Sequence, residues 1–338
     1  MHSESHLFLF CFAFQGEITL SPYASWNQVG ITVAGLANGT GGPSLSQLNH
    51  ALSLSVSEND ILYVGDTANN RIVVVPLDSP TDKFIIGSGP GSLPHELRTP
   101  RDLFATSTTL YILDFANRRI QKTSSNGSNP TTVVNFNDSS GEQYLYVDDD
   151  NNIYVSDTAT HKVMLFRANT TNYTIVAGTG ASGSNDSQLH KPYGMFVNRI
   201  RTLYVADQYN HRIMKWLSGA RAGIQVAGGN GEGSSSSQLG FPTQVIVDTN
   251  EYLYISEARN VRITRWAPNS TFGVCIAACT GITGTTSTQL RAPHSLAFDS
   301  HGSIYVSDWD NHRVQKFQIL HSNGKFHSVV KRFLRPIR

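Results

Sequence analysis

The chain has 338 residues, of which 39% are apolar and 28 are glycine, and this composition is sufficient for a packed core. The 26 Lys and Arg residues nearly balance the 25 Asp and Glu residues, which gives a net charge of +1. This balance argues against a dedicated nucleic-acid-binding protein, which carries a basic excess, and against a highly charged disordered chain. No apolar run reaches the roughly 18 residues of a membrane-spanning helix. Three cysteines are too few for a disulfide-scaffolded domain.

The N-terminal segment, residues 1–27, contains the apolar run Leu7–Phe14. Its length suits the hydrophobic region of a signal peptide better than a membrane span. No Lys or Arg precedes the run, and no clean small-residue cleavage site follows it. A signal peptide and an N-terminal packing segment therefore both stay open. We expect a secreted, extracellular protein, with a cytoplasmic location as the alternative.

One ten-residue segment of the form YVxDxxNxRI recurs six times, with the acidic residues 43 to 51 residues apart. Each acid is followed five residues later by a base. The pairs are Asp66 and Arg71, Asp114 and Arg119, Asp157 and Lys162, Asp207 and Arg212, Glu257 and Arg262, and Asp308 and Arg313. A repeat of this length with strand-like content is typical of a propeller built from four-stranded blades.

Four of the six repeats also have a Leu-x-x-Pro lead-in, as in QLHKPYGMFVN at 188–198, and several end in V-A-G; the first repeat has Ala51 and the third Glu142 at the proline position. In the fourth repeat, alternating apolar residues predict strands at about 194–198, 202–206, 212–217 and 224–227. The sequence resembles the NHL repeats of six-bladed propellers. This resemblance implies an all-β fold, a six-bladed β-propeller of four-stranded antiparallel blades over residues 28–320. A basic C-terminal tail, 321–338, would follow it.

The last blade has two candidates for its fourth strand. GITVAG at 30–35 matches the internal strands TIVAG at 174–178 and IQVAG at 224–228. KFHSVV at 325–330 lacks the terminal glycine. We therefore predict that Ile31–Ala34 pairs with Val314–Gln318, so that an N-terminal strand closes the last blade. An unpaired apolar edge would otherwise remain.

The repeated acid–base pairs are interpreted as structural, because a blade corner is needed six times and a catalytic residue rarely is. The acid can accept backbone N–H groups across the turn and pair with the base on the next strand. His161, His211 and His312 occupy the same turn in three different blades and are interpreted as surface turn residues.

The variable residues after the proline are expected at the channel mouth, because the first strand of each blade lines the channel. Aligned on the signature tyrosine, with Glu142 at the proline position of the shortened third repeat, these residues form two rings. The first ring is Leu52, Arg101, Gln143, Tyr193, Thr243 and His294, and the second is Ser53, Asp102, Tyr144, Gly194, Gln244 and Ser295. The predicted ligand-binding residues are Arg101, Asp102, Gln143, Tyr144, Tyr193, Thr243, Gln244 and His294.

The amidating-lyase family is similar in fold and holds a catalytic zinc with several histidines around the channel. A zinc site needs three or four converging ligands, and the two rings contain one histidine, His294. We therefore expect no metal, no cofactor and no enzymatic activity, and keep the lyase-like enzyme as a disfavoured alternative.

Cys275 and Cys279 lie in the fourth strand of the fifth repeat. In a straight strand their Cα atoms would be about 13 Å apart, whereas a disulfide needs about 7 Å or less. A disulfide therefore requires a bend before Cys279, and a disulfide and two buried thiols both stay open. Seven glycosylation sequons permit a secreted glycoprotein. They are at Asn38, Asn126, Asn137, Asn169, Asn172, Asn185 and Asn269.

The favoured function is a non-enzymatic binding module, monomeric, that recognises a protein or glycan ligand through its variable loops and channel-mouth residues. The resemblance also allows RNA binding, which would need a basic face; Arg98, Arg101, Arg199, Arg201 and Arg291 are the candidates for it. The near-neutral net charge argues against this alternative. Ubiquitin-ligase activity is not expected, because three cysteines cannot form the zinc modules of the tripartite-motif ligases.

Overall fold

The computed structural model describes residues 18–136, 141 and 143–321. The strands of this part of the chain are β1 (Ser25–Trp26), β2 (Ile31–Gly35), β3 (Ala51–Val56), β4 (Ile61–Asp66), β5 (Arg71–Pro76), β6 (Phe84–Ile86), β7 (Pro100–Ala105), β8 (Thr109–Asp114), β9 (Arg119–Ser124), β10 (Thr131–Asn135), β11 (Gln143–Val147), β12 (Ile153–Asp157), β13 (Lys162–Phe166), β14 (Tyr173–Ala177), β15 (Pro192–Val197), β16 (Leu203–Asp207), β17 (Arg212–Trp216), β18 (Ile224–Gly228), β19 (Pro242–Val247), β20 (Leu253–Glu257), β21 (Arg262–Trp266), β22 (Gly273–Ala277), β23 (Pro293–Phe298), β24 (Ile304–Asp308), β25 (Arg313–Phe317) and β26 (Ile319–His321). Short 3-10 turns lie at Thr67–Asn69, Phe115–Asn117, Gln208–Asn210 and Trp309–Asn311.

These strands form six four-stranded antiparallel blades and one two-stranded sheet, β1 with β26. Five blades take four consecutive strands each, from β3–β6 to β19–β22, and the sixth has the order β2-β25-β24-β23. The first strands of neighbouring blades contact one another around the ring, including β23 of the last blade with β3 of the first. The predicted all-β, six-bladed propeller is confirmed.

The second and third strands of a blade are buried on both faces. In β16 every residue is buried, whereas most of β14, an outermost strand, is exposed. The cause is the packing of each blade between two others, which covers both faces of its inner strands. The strands of the fourth blade begin and end within two residues of their predicted positions.

The ring is closed by β2 from the N-terminal part of the chain. It pairs antiparallel with β25, so that Ile31 lies opposite Lys316 and Gly35 opposite Arg313. The Thr32 hydroxyl also donates to Gln315 Oε1 at 2.8 Å. The predicted closure is confirmed. The alternative segment, 325–330, lies outside the described residues.

The packed part of the chain begins ahead of residue 28, where the repeat pattern placed its start. Leu20 and Trp26 are buried against the fifth and sixth blades. Trp26 Nε1 donates to the Gly302 carbonyl at 2.8 Å, and Asn250 Nδ2 donates to the Leu20 carbonyl at 2.8 Å. The segment was outside the repeat pattern because its partners are two blades far away in sequence. The Leu7–Phe14 run lies outside the described residues.

The repeated acid and base form a buried hydrogen-bonded corner in five blades. In the sixth blade, Asp308 accepts from Arg313 Nε at 2.7 Å and from Asn311 Nδ2 at 2.8 Å, and its other oxygen accepts the Arg291 N–H at 2.6 Å. The guanidinium of Arg313 also donates to the carbonyls of Ala37, Thr285, Thr286 and Gln289. Each corner therefore ties the linker ahead of a blade to that blade, and the sixth also holds the segment that follows β2.

The third blade has a different corner. Asp157 accepts from the Ala159 N–H at 2.9 Å and from the Thr160 hydroxyl at 2.8 Å. Lys162 Nζ lies 5.2 Å from the ring centre of Tyr173, in a cation–π contact. A lysine lacks the planar fork with which arginine reaches several carbonyls at once, so this corner is less extensively bonded.

Cys275 and Cys279 form a disulfide, with their Cα atoms 5.8 Å apart. The bend that such a pairing requires lies directly after β22, where Ala278 has a left-handed φ of 52°. The disulfide therefore closes a turn at the outer edge of the fifth blade, one of the two outcomes that the sequence left open.

Candidate ligand-binding site

A cavity of about 450 Å³ opens at one end of the central channel. Its walls come from the first strands of five blades, from the segments that lead into those strands, and from the turns between second and third strands. The lining residues are His50, Leu52, Thr67, Ala68, Asn70, Thr99, Arg101, Tyr144, Tyr193, His294 and Trp309. Four of the eight predicted ligand-binding residues are among them.

In the third blade the structure differs by one residue from the ring alignment that the sequence predicted. Gln143 lies opposite Asp157, as Pro192 lies opposite Asp207 in the fourth blade. The fourth blade then has a bulge after Pro192, whereas β11 pairs with β12 without one. The residue missing from the third repeat is therefore the bulge residue. As a result Tyr144, not Gln143, occupies the position of Tyr193 at the mouth.

Aromatic rings form a continuous wall around part of the cavity, called here the aromatic wall. The ring centres of Tyr144 and Tyr193 are 4.4 Å apart, and that of His294 lies 5.9 Å from Tyr193. Trp309 follows at 4.9 Å from His294, and His50 at 5.5 Å from Trp309. Because each ring packs against the next, the wall is held in place before any ligand arrives.

Arg101 is a positively charged residue of the lining, and the part of the lining that the structure describes includes no Asp or Glu. Its guanidinium carbon lies 4.3 Å from the ring centre of Phe115, in a cation–π contact that fixes the plane of the group. Thr99 and Asn70 lie on the same side and supply polar groups. The cavity therefore combines an aromatic wall with a positive, polar side.

The other predicted ligand-binding residues do not line the cavity. Asp102 accepts from the N–H groups of Leu103 at 3.0 Å and Leu145 at 2.8 Å, which joins the second blade to the third. Burial raises the pKa of Asp102 to about 7, and these two N–H groups oppose the shift. Gln143 is buried in the third blade.

Thr243 and Gln244 also lie outside the lining, in the fifth blade. The Thr243 hydroxyl bonds to the Ser256 hydroxyl at 2.7 Å and to the Pro293 carbonyl at 3.0 Å, and it is buried between two blades. Gln244 folds over Gly194, where a side chain would collide with it. Both residues therefore have inter-blade packing roles.

Sequence reasoning missed Trp309, which follows the signature acid of the sixth repeat. The signal was the variation at this position, which lies in the turn after the second strand. The equivalent residues are Thr67, Phe115, Thr158, Gln208 and Ala258. In the folded ring this turn lies over the channel mouth, so Thr67 and Trp309 line the cavity and Phe115 supports Arg101.

Comparison with known families supports the interpretation of the repeated segments. Residues 290–317, which include β23, β24 and β25, match the family model of the NHL repeat. The chain is a six-bladed β-propeller whose last repeat matches the NHL repeat. No curated protein matches it by sequence.

Solved structures similar to this propeller share its fold at low sequence identity. A structural-genomics protein of unknown function from Bacteroides thetaiotaomicron has a TM-score of 0.70 and 14% identity, over 87% of this chain and 76% of that one. An auxiliary nutrient binding protein from the same organism has a TM-score of 0.64 and 13% identity, over 88% and 77%. A gluconolactonase from Xanthomonas campestris has a TM-score of 0.60 and 12% identity, over 90% and 97%. At these identities the likeness shows the fold alone.

Metal-ligating side chains do not cluster in the described part of the propeller. Over residues 18–136, 141 and 143–321 no group of three or more His, Cys, Asp or Glu side chains is placed to hold a metal ion. In the same ranges, no helix is long and apolar enough to cross a bilayer.

The five arginines considered for RNA binding do not share one face of the propeller. Arg98, Arg101 and Arg291 lie where the chain enters first strands, at the cavity end of the channel. Arg199 and Arg201 lie in the hairpin between β15 and β16, at the opposite end. Arg201 is also paired with Asp150. These residues therefore do not form the basic face that RNA binding would need.

The turn histidines join neighbouring blades of the propeller. His161 Nδ1 accepts the Lys191 N–H at 3.1 Å, and His312 Nδ1 accepts the His50 N–H at 2.9 Å across the ring closure. His211 makes the same bond to Phe241 at 3.3 Å. An Nδ1 atom can accept only in the neutral ring. Burial lowers the pKa of all three histidines below the usual 6.5.

These bonds predict that acid destabilises the propeller. The unfolded histidines take up protons near pH 6.5, whereas the folded ones stay neutral to lower pH, so the unfolded chain binds more protons. The free energy of unfolding should fall as pH decreases below about 6.5, until the folded pKa values are passed.

The first blade supplies the substitution that tests this expectation. Its equivalent residue is Asn70, whose Oδ1 accepts the Thr99 N–H at 2.9 Å and does not titrate. Replacing His161, His211 and His312 together by Asn should flatten the dependence measured by urea unfolding between pH 5 and 7. His301→Asn, at an exposed hairpin, is the control. An unchanged slope in the triple variant would contradict the assignment.

Proposed function

We propose that this propeller is a non-enzymatic binding module that recognises a protein or glycan ligand at its channel mouth. The observation that carries the proposal is the cavity of about 450 Å³, which combines the aromatic wall with Arg101. Its size lies in the range of ligand sites, and apolar walls with a few fixed polar groups are typical of them. The residues come from turns and linkers on a rigid ring, where specificity can vary without changing the fold.

Binding is favoured over catalysis by the chemistry of the lining. The structural neighbours include a nutrient binding protein and a gluconolactonase, so the fold serves both kinds of function. Among the described residues that line the cavity there is no carboxylate, whereas hydrolysis of sugar bonds generally relies on a pair of them. Aromatic faces and a guanidinium are groups that bind and orient a ligand.

We also propose that the protein is secreted and acts as a monomer. A disulfide between Cys275 and Cys279 persists in oxidising compartments and is rare in the cytosol. The sequon asparagines among the described residues are all exposed, as glycosylation requires: Asn38, Asn126, Asn169, Asn172, Asn185 and Asn269. Asn137 lies outside the described residues.

The proposal is tested by probing glycan and peptide arrays with the purified protein and with two variants. Trp309→Ala removes a central ring of the aromatic wall, and we expect it to lower binding to the retained spots at least about tenfold, the loss of one buried aromatic contact. Phe272→Ala removes an exposed aromatic residue in the hairpin before β22 and should leave the binding unchanged. Array binding that is insensitive to Trp309→Ala, or absent from the wild type, would refute a channel-mouth site.

A further inference from the structure

We propose that the ligand of the cavity is a protein, and that it inserts one aromatic side chain against the aromatic wall. This inference rests on the proposed binding function and specifies the kind of partner. Two observations carry it. Seven of the eleven lining residues present rings or aliphatic groups, and polar groups beside them are already bonded within the propeller.

The backbone carbonyls of three lining residues accept hydrogen bonds from serine hydroxyls of neighbouring blades. These bonds run from Ser307 to Leu52 at 3.0 Å, from Ser156 to Tyr193 at 2.7 Å and from Ser256 to His294 at 2.8 Å. Each of the serines directly precedes a repeated acid. Because these bonds exist before any ligand arrives, the carbonyls gain less from a ligand hydroxyl than unbonded carbonyls would.

Polar side chains of the lining are engaged in the same way. The Thr67 hydroxyl donates to the Pro100 carbonyl at 2.8 Å, and Asn70 Oδ1 accepts the Thr99 N–H at 2.9 Å. A sugar carries a hydroxyl on most of its ring carbons, and each one loses its hydrogen bonds to water on entry. A buried hydroxyl that is not matched by a partner is costly. The lining therefore favours an apolar ligand group over a sugar.

The aromatic wall favours an aromatic group over an aliphatic one. The ring of Trp309 meets that of His294 at 71° and that of His50 at 55°. In tilted and edge-to-face contacts of this kind, aromatic rings attract one another beyond the area that they bury. Trp309 is partly exposed, whereas the other three tryptophans of the chain are buried. A ligand ring that contacts Trp309 extends the same packing.

The surroundings of the cavity suit a protein surface. At the same end of the ring lie exposed ion pairs, Arg291 with Asp310 at 3.5 Å and Arg259 with Glu232 at 3.4 Å. A concave apolar centre with charged groups around it is the usual arrangement of a protein interface. The residues that dominate the binding energy of such interfaces are often aromatic side chains that fill a central, well-packed cavity.

The test compares three small probes that isolate the group proposed to enter. N-acetyl-tryptophan amide carries an aromatic side chain, N-acetyl-leucine amide carries an aliphatic one on the same backbone, and methyl β-glucoside is a hydroxylated ring. Ligand-observed NMR titration of the wild type should show that the tryptophan probe binds about fivefold or more tightly than the leucine probe, as expected for an added aromatic contact. The glucoside should bind more weakly than the tryptophan probe.

Two variants assign this preference to the cavity. Ala68→Trp puts a ring at an exposed turn position that lines the cavity, so it fills the space and should abolish binding of the tryptophan probe. Trp309→Leu keeps an apolar side chain without the ring, and it should reduce the preference for the tryptophan probe to about twofold or less. Phe272→Ala, outside the lining, is the control and should keep both affinities. Far-UV circular dichroism confirms that each variant is folded.

The inference is overturned if the wild type does not prefer the tryptophan probe to the leucine probe, if Ala68→Trp still binds the tryptophan probe, or if Trp309→Leu retains the preference. A wild type that ignores the tryptophan probe but binds an array glycan through Trp309 would refute the aromatic side chain and leave the proposed binding function standing. The absence of any array ligand that depends on Trp309 would refute the proposed function itself.

Discussion

Deletion of residues 1–36 is expected to leave the propeller unfolded or nearly so at room temperature. The deletion removes β2, whose pairing with β25 completes the sixth blade, and the buried side chains of Leu20, Trp26 and Ala34. Losing a buried tryptophan or leucine alone costs about 2–5 kcal/mol. The combined loss approaches the whole stability of a typical domain, about 5–15 kcal/mol. Urea unfolding followed by far-UV circular dichroism measures the effect.

Removal of the other end of the chain is the control. Deleting residues 322–338 leaves all four strands of the sixth blade in place, and we expect the free energy of unfolding to change by less than about 1 kcal/mol. A C-terminal deletion more damaging than the N-terminal one would contradict closure by β2.

Gly35 provides a finer test of the same closure. It ends β2 with a φ of +78°, and a Cβ atom there would collide with the His312 carbonyl. Gly219 has the same φ of +78° and no atom within 4 Å of such a Cβ. Gly219→Ala should therefore cost only the left-handed conformation, about 1 kcal/mol. Gly35→Ala should cost about 2 kcal/mol more, because the edge strand must also shift. Equal effects would mean that β2 does not pack tightly at this corner.

Arg313→Met should destabilise the propeller by about 3–5 kcal/mol, the usual cost of leaving a buried carboxylate without its partner. Arg313 is 1% exposed and Asp308 is fully buried. Burial raises the pKa of Asp308, while Asn311, the Arg291 N–H and Arg313 oppose the shift. Removing the guanidinium also takes away the hydrogen bonds that Arg313 donates to the carbonyls of three linker residues and of Ala37 after β2.

The third blade supplies the matched control for this corner. Lys162→Met changes the equivalent base, whose ammonium group is in contact with the exposed Tyr173, and should cost less than about 1 kcal/mol. Adding Asp308→Asn to Arg313→Met should recover part of the lost stability, because the uncompensated charge is then absent. If urea unfolding shows comparable losses of stability for Arg313→Met and Lys162→Met, the buried acid–base pair contributes no more to stability than the exposed lysine does.

The architecture could be predicted from the sequence because every blade repeats one local pattern. Alternating apolar residues, turn residues and a strand-terminal acid recur at near-constant spacing, and each is decided by contacts within about fifty residues. Ring closure could also be predicted, because GITVAG at 30–35 resembles the fourth strands of internal repeats, whereas the C-terminal candidate, KFHSVV at 325–330, lacks their terminal glycine. Because the pattern occurs six times, a departure from it in one repeat can be recognised by comparison with the other five.

The site depended on contacts that no single repeat contains. The proline position of the third repeat could be assigned to Glu142 or to Gln143, and only the pairing of Gln143 with Asp157, without a bulge, decides for Gln143 and brings Tyr144 to the mouth. Trp309 and His50 are far apart in the chain and adjacent in the cavity, because the ring joins its two ends. The Nδ1 bond of His312 to His50 and the bend at Ala278 that allows the disulfide likewise arise from geometry beyond the local pattern. Local periodicity determined the blades, and the closure of the ring determined which variable side chains meet.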